Sequence, residues 1–109
     1  MNLDIHIEEA ENQKNVFLSG EIDTYTAPKL RESLIPLTEQ SGVEVIVDLS
    51  EVQYIDSTGL GIFVGVLKAS DSNGSSLTLT GMSERIKRLF VITGLDEVIN
   101  IVDRREEAK

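Results

Sequence analysis

Cysteine and tryptophan are absent from the chain, histidine occurs once and proline twice. Without cysteine there is no disulfide, no thiolate zinc site and no thiol nucleophile. The absence accords with a reducing compartment. Aromatic residues are scarce as well, three Phe and two Tyr, so the core must be built mainly from Ile, Leu and Val. Positive charge is the third scarcity: 10 Lys and Arg stand against 19 Asp and Glu, a formal net charge of −9. A nucleic-acid binder needs a basic footprint, and an anionic lipid surface attracts basic segments; the composition argues against both. No apolar run approaches the roughly 18 residues of a membrane span. The start, Met1-Asn2-Leu3-Asp4, lacks the basic and apolar regions of a secretory signal. The expectation is a cytoplasmic protein with neither a nucleic-acid nor a membrane partner.

What is present fits one globular domain of 109 residues, 40% apolar and 27% charged. The charge is unevenly spread. Residues 1–56 hold 12 acidic and 3 basic side chains, whereas residues 57–109 hold 7 of each. A solvated acidic face accounts for this, and so does a surface that steers a basic partner.

Leu3, Ile5 and Ile7 alternate with Asp4, His6 and Glu8, the period of a half-buried strand. A turn at Glu11-Asn12-Gln13 leads to a second strand around Val16-Phe17-Leu18, ended by Gly20. Leu30, Leu34 and Leu37 recur at helical spacing, with Thr26 as N-cap and Pro28 in the first turn. Pro36 would clash with the carbonyl of Glu32, so the helix should kink or end there. The run Val43 to Leu49 is nearly all apolar, the pattern of a central strand covered on both faces. A helix then starts at Asp56-Ser57-Thr58 and runs to Leu67, with a turn at Asp71-Ser72-Asn73-Gly74. Leu77–Thr80 is a further strand. Ser83 caps a helix with Ile86, Leu89 and Phe90 inward and Gly94 as its stop. Val98 to Val102 is a last apolar segment. The charged tail Asp103–Lys109 is expected to fray.

Strand and helix alternate from about residue 15. The expected fold is α/β: a mostly parallel sheet of four to five strands, with helices from right-handed crossovers. Parallel strands ending near Gly20 and Leu49 emerge on one edge of the sheet. The segments Glu21–Thr26 and Tyr54–Gly59 then become neighbours, at the edge where sites in open α/β sheets gather.

Most chemistry candidates fail on inspection. His6 stands alone in mid-strand, without partners for a metal or catalytic cluster. Gly59, Gly61 and Gly65 give G-x-G-x-x-x-G, a poor match to a dinucleotide-binding turn, and no P-loop lysine motif exists. Neither an enzyme nor a phosphocarrier is indicated, and no cofactor or metal is expected. The informative segment is Tyr54 to Gly61. Asp56 or Ser57 can cap the helix. Three glycines each cost a helix about 0.5–1 kcal/mol, which implies that something approaches the backbone closely. Leu60, Phe63, Val64 and Leu67 share a core face, while Ile62, Val66 and Ala69 project oppositely, toward either another helix or a partner. A phosphoryl group on Ser57 would sit among the free N–H groups of a helix start, where the fold tolerates it.

The run Asp56-Ser57-Thr58-Gly59-Leu60-Gly61 closely resembles the phosphorylation segment of bacterial anti-sigma factor antagonists, small single STAS-domain proteins. Gly20-Glu21-Ile22-Asp23-Thr24-Tyr25-Thr26-Ala27-Pro28 resembles that family's first loop. Ser83 to Phe90 and Ile92-Thr93-Gly94-Leu95 resemble its C-terminal helix and turn. The resemblance covers essentially the whole chain, residues 1–109, and lies on the general-stress branch. It implies a protein that binds an anti-sigma factor serine kinase when unphosphorylated and frees the sigma factor. The kinase phosphorylates the antagonist, here on Ser57 with Thr58 as runner-up, and a PP2C-type phosphatase reverses this. The partner surface it implies comprises Glu21, Asp23, Thr24, Tyr25, Asp56, Ser57, Thr58, Gly59, Gly61, Ile62, Gly65 and Val66. Turn stabilisation is the competing role for Asp23 and Thr24, and solvated surface is the expectation for Arg85, Lys87 and Arg88. A STAS module of another signalling scaffold is the alternative function. Nothing demands more than a monomer.

Overall fold

The computed structural model describes residues 2–102. Five strands form one sheet: β1 (Leu3–Glu9), β2 (Gln13–Ile22), β3 (Glu44–Ile55), β4 (Ser76–Thr80) and β5 (Asn100–Val102). They lie in sequence order, with β1 antiparallel to β2 and every later pair parallel. The crossovers carry helices α1 (Ala27–Leu34), α2 (Ser57–Asn73) and α3 (Glu84–Ile92). The expected mostly parallel α/β sheet is thus present. The tail expected to fray, residues 103–109, lies outside the described residues.

A strand order that advances in one direction stacks successive crossover helices on one face of the sheet. α1 touches α2, and the rings of Phe63 on α2 and Phe90 on α3 lie 6.2 Å apart. Between this layer and the sheet lies the core, including Val16, Leu18, Val45, Val47, Leu49, Leu79, Leu30, Leu34, Phe63 and Phe90, all fully buried. Each such side chain contributes about 1.5–3 kcal/mol by leaving water. The expectation that β3 is covered on both faces is corrected. Val45, Val47 and Leu49 are buried, but Ile46 and Asp48 are only half-buried and Ser50 is exposed. An apolar run reads the same whether one face is covered or two.

Proline acts as expected. α1 ends at Leu34, and Pro36 sits in the first turn of a 3-10 segment, Ile35–Glu39. Ser83 caps α3, accepting from the N–H of Ile86 at 3.3 Å. Two boundaries differ from expectation. Asp71–Asn73 are the last turn of α2, and Gly74, at φ +77°, is its left-handed cap. Strand β2 does not end at Gly20 but bends there and runs on to Ile22, with its register to β3 shifting at Gly20/Glu21. Gly20 has φ +121°, and a Cβ on it would strike the carbonyl of Asn2. That carbonyl accepts from the N–H of Glu21 at 2.9 Å. The bend aims Glu21 and the following loop at the start of α2.

Candidate functional site

Beyond the bend, Glu21 lies opposite Tyr54 and Ile22 opposite Ile55 in the parallel ladder. The N–H of Asp56 donates to the carbonyl of Ile22 at 3.2 Å. The loop after β2 and the start of α2 are therefore neighbours, as the shared-edge argument requires.

Asp56 has an extended backbone, and its Oδ1 accepts from the N–H of Gly59 at 3.0 Å. Of the two candidate caps, Asp56 holds the position. Ser57 is the first helical residue and is exposed, as is Thr58. Both hydroxyls stand at the mouth of a helix whose first-turn N–H groups have no carbonyl one turn back. Gly59 is buried, and a Cβ there would lie 2.5 Å from Ile22 Cγ2 and 2.8 Å from Ile55 Cγ1. The close approach that the glycines implied is therefore real at Gly59, but it is made by the domain's own sheet. Gly59 serves internal packing. Gly61 and Gly65 are different: both are exposed, and a Cβ on either would meet nothing within 4 Å.

The expected division of α2 is corrected at one position in particular. Val66 is fully buried, as are Phe63 and Ser70, and Leu60 is buried beside them, so Val66 lies on the core face and not on the opposite one. Val64, Leu67, Ile62 and Ala69 are half-buried. Apolar residues on every side left the phase of this helix undetermined. Packing against both the sheet and α1 selects the Leu60–Phe63–Val66 stripe.

The loop between β2 and α1 divides its residues in the same way. Asp23 is 8% exposed. Its Oδ1 accepts from the N–H of Tyr25 at 2.9 Å and of Thr26 at 3.0 Å. The buried Thr26 accepts from the N–H of Asp23 through Oγ1 at 2.9 Å and donates to the carbonyl of Glu21 at 2.9 Å. Thr26 thus locks the loop rather than capping α1 with its side chain. Asp23 thus supports the loop, the competing role named for it. Thr24 and Tyr25 are turned outward, Tyr25 84% exposed. Thr24 borders two hollows. One, of about 260 Å³, runs between α1 and α2, where Thr58 and Ile62 face Ala27, Pro28 and Arg31. The other, of about 350 Å³, holds Tyr25 and Tyr54. Tyr54, half-exposed, opens the segment that the sequence singles out but is not among its expected contacts; the signal was an aromatic placed where the strand's apolar run gives out.

Away from this edge, His6 is exposed and its Nε2 lies 3.0 Å from Glu8 Oε2, a surface pair. Arg85 and Arg88 are exposed on α3 and Lys87 is half-buried. No group of His, Asp and Glu among the described residues could hold a metal ion. No helix among them is long and apolar enough to cross a membrane.

The family model described as STAS domain matches residues 4–108. The chain belongs to the STAS domain family. This STAS domain is 48% identical to the anti-sigma-B factor antagonist of Bacillus subtilis, over 97% of this chain and 96% of that protein. A solved anti-sigma factor antagonist from Mycobacterium paratuberculosis superposes with a TM-score of 0.79 at 27% identity, covering 98% of this chain and 91% of that one. The Bacillus cell-fate determinant SpoIIAA in its phosphorylated form shares the fold, with a TM-score of 0.75 at 20% identity over 96% and 95% of the two chains. The STAS domain is a regulatory fold, not a catalytic one.

Proposed function

We propose that this STAS domain is an anti-sigma factor antagonist of the cytoplasm that switches partners by phosphorylation of Ser57. Unphosphorylated, it binds an anti-sigma factor that is also a serine kinase, and the sigma factor is released to stress-response promoters. The kinase transfers a phosphoryl group from ATP to Ser57, and the complex dissociates. A PP2C-type phosphatase removes the group and restores binding.

The observation that carries this reading is the division of labour at the start of α2. Asp56 does the capping, so the Ser57 hydroxyl is exposed and has no structural task. The 48% identity to a protein named anti-sigma-B factor antagonist supports the choice of partner. Phosphate adds about −1.5 to −2 charge. The domain tolerates it, because the positive end of α2 and its unpaired N–H groups lie beside it. A partner packed over the same spot must desolvate the dianion, and an unpaired buried charge costs several kcal/mol. The contact surface includes the exposed Thr24, Tyr25, Thr58, Gly61 and Gly65, and extends to the half-buried Glu21 and Ile62.

Capture of the purified anti-sigma factor kinase of the same organism, with and without ATP and read by intact mass, tests the proposal. The expected result is a complex without ATP, then one phosphoryl group on Ser57 and dissociation. Phosphorylation on Thr58 alone would move the switch by one residue. Failure to bind the kinase in either condition would leave the domain as a module of another signalling scaffold.

A further inference from the structure

The chain's two tyrosines, Tyr25 and Tyr54, come together at one hollow although they lie in different elements. Tyr54 is the penultimate residue of β3, directly opposite Glu21. The alternation of β3 gives out after Leu49: Val52 is buried, Gln53 and Tyr54 are exposed, and Ile55, at the strand's end, is buried again. Tyr25 is placed by the hydrogen bond from its backbone N–H to Asp23 Oδ1. Neither ring is needed by the core: Tyr25 is 84% exposed and Tyr54 50%. A chain with so few aromatic residues therefore leaves two of them in water beside the candidate phosphorylation segment. Aromatic side chains of this kind dominate the energetics of protein interfaces.

The charge of the hollow specifies what enters it. Its lining has two carboxylates, Glu21 and Asp23, and no cation. Asp23 is committed to the loop through two backbone N–H groups. Glu21, half-buried, takes part in no ion pair among the described residues. A hollow that two aromatic rings and a carboxylate line together is a setting for a cation: a ring face attracts positive charge and the carboxylate supplies the opposite charge. The N-terminal half of the chain, with 12 acidic side chains to 3 basic, draws the same kind of group from a distance.

We propose that the Glu21–Tyr25–Tyr54 hollow receives a cationic side chain, arginine or lysine, from the anti-sigma factor kinase, and that Tyr54 is a specificity residue of the interface. This rests on the reading given under the proposed function. The pocket is a second anchor, separate from Ser57. Thr24 joins the two, since it borders this hollow and also the one that contains Thr58. Affinity is set at the tyrosines, and the phosphoryl group at Ser57 decides whether that affinity can be used.

Calorimetric titration of the purified kinase, at several salt concentrations, tests this. Four variants are compared with the parent chain: Tyr54→Leu, Tyr54→Phe, Tyr25→Leu and Glu21→Gln. Tyr54→Leu and Tyr25→Leu should each weaken binding by about tenfold or more, and Tyr54→Phe should stay within about twofold because the ring face remains. Glu21→Gln should weaken binding and flatten its dependence on salt. Unchanged urea midpoints would attribute these losses to the interface. Parent-like affinity in both leucine variants, or parent-like salt dependence in Glu21→Gln, overturns the hollow as a cation site. In that event the proposed function still stands if the chain phosphorylated on Ser57 fails to bind. If the phosphorylated chain binds as well as the unmodified one, the switch fails instead, whatever the tyrosines do. A parent chain that does not bind the kinase overturns both.

Discussion

Asp56 accepts the hydrogen bond of Gly59 at 3.0 Å, so the residue between them and the solvent, Ser57, caps nothing. The two neighbours should therefore separate cleanly on substitution. Asp56→Ala removes the cap and should cost about 1 kcal/mol of stability. Ser57→Ala changes an exposed side chain and should stay within about 0.5 kcal/mol. Urea denaturation of both variants checks this. An equal loss in both would mean that the Ser57 hydroxyl is part of the fold.

The three glycines of α2 should behave in two ways. Gly59→Ala drives a methyl group into Ile22 and Ile55, an overpacking that costs about 1–3 kcal/mol. Gly61→Ala and Gly65→Ala meet open space and should each stabilise the helix by about 0.5–1 kcal/mol. If both exposed glycines serve a partner surface, bulkier Gly61→Leu or Gly65→Leu variants should keep their stability and lose kinase affinity. Thermal melts together with a binding assay measure the two effects separately.

Asp23 should act on binding only through the loop. Asp23→Ala deprives the Tyr25 and Thr26 N–H groups of their acceptor and should cost about 1–3 kcal/mol. Asp23→Asn keeps an oxygen in place and should retain most of the stability. Hydrogen exchange at the Tyr25 and Thr26 amides should speed up in Asp23→Ala and much less in Asp23→Asn. Unchanged exchange in the alanine variant would contradict a supporting role.

The sequence alone disclosed the site's location better than its inner division. A cap signal following an apolar strand placed Ser57 at a helix mouth, and parallel strands brought Glu21–Thr26 beside it; both inferences rest on short-range chemistry. The inward turn of Val66 depends on which neighbours cover α2, and a helix apolar all round carries no phase of its own. Gly59 could not be told from Gly61 or Gly65 for a related reason, since Ile22 and Ile55 reach it from distant elements. Tyr54 opens the informative segment but carries no contact signal of its own, because β3 outruns its apolar stretch. Strand β4 pairs only with Glu44–Asp48, while β2 continues alongside to Ile55. The distal half of β3 is therefore held by one neighbour and reads as polar. Gly20 resembled a strand terminator, because a bend that rests on the Asn2 carbonyl has no local signature.

The central claim is that a phosphoryl group on Ser57 releases the partner by local charge. Titration of the anti-sigma factor kinase with the unmodified chain and with the same chain phosphorylated on Ser57 measures it. A penalty of several kcal/mol for an unpaired buried charge predicts a loss of affinity of roughly a thousandfold. Equal affinities for the two forms would contradict the account.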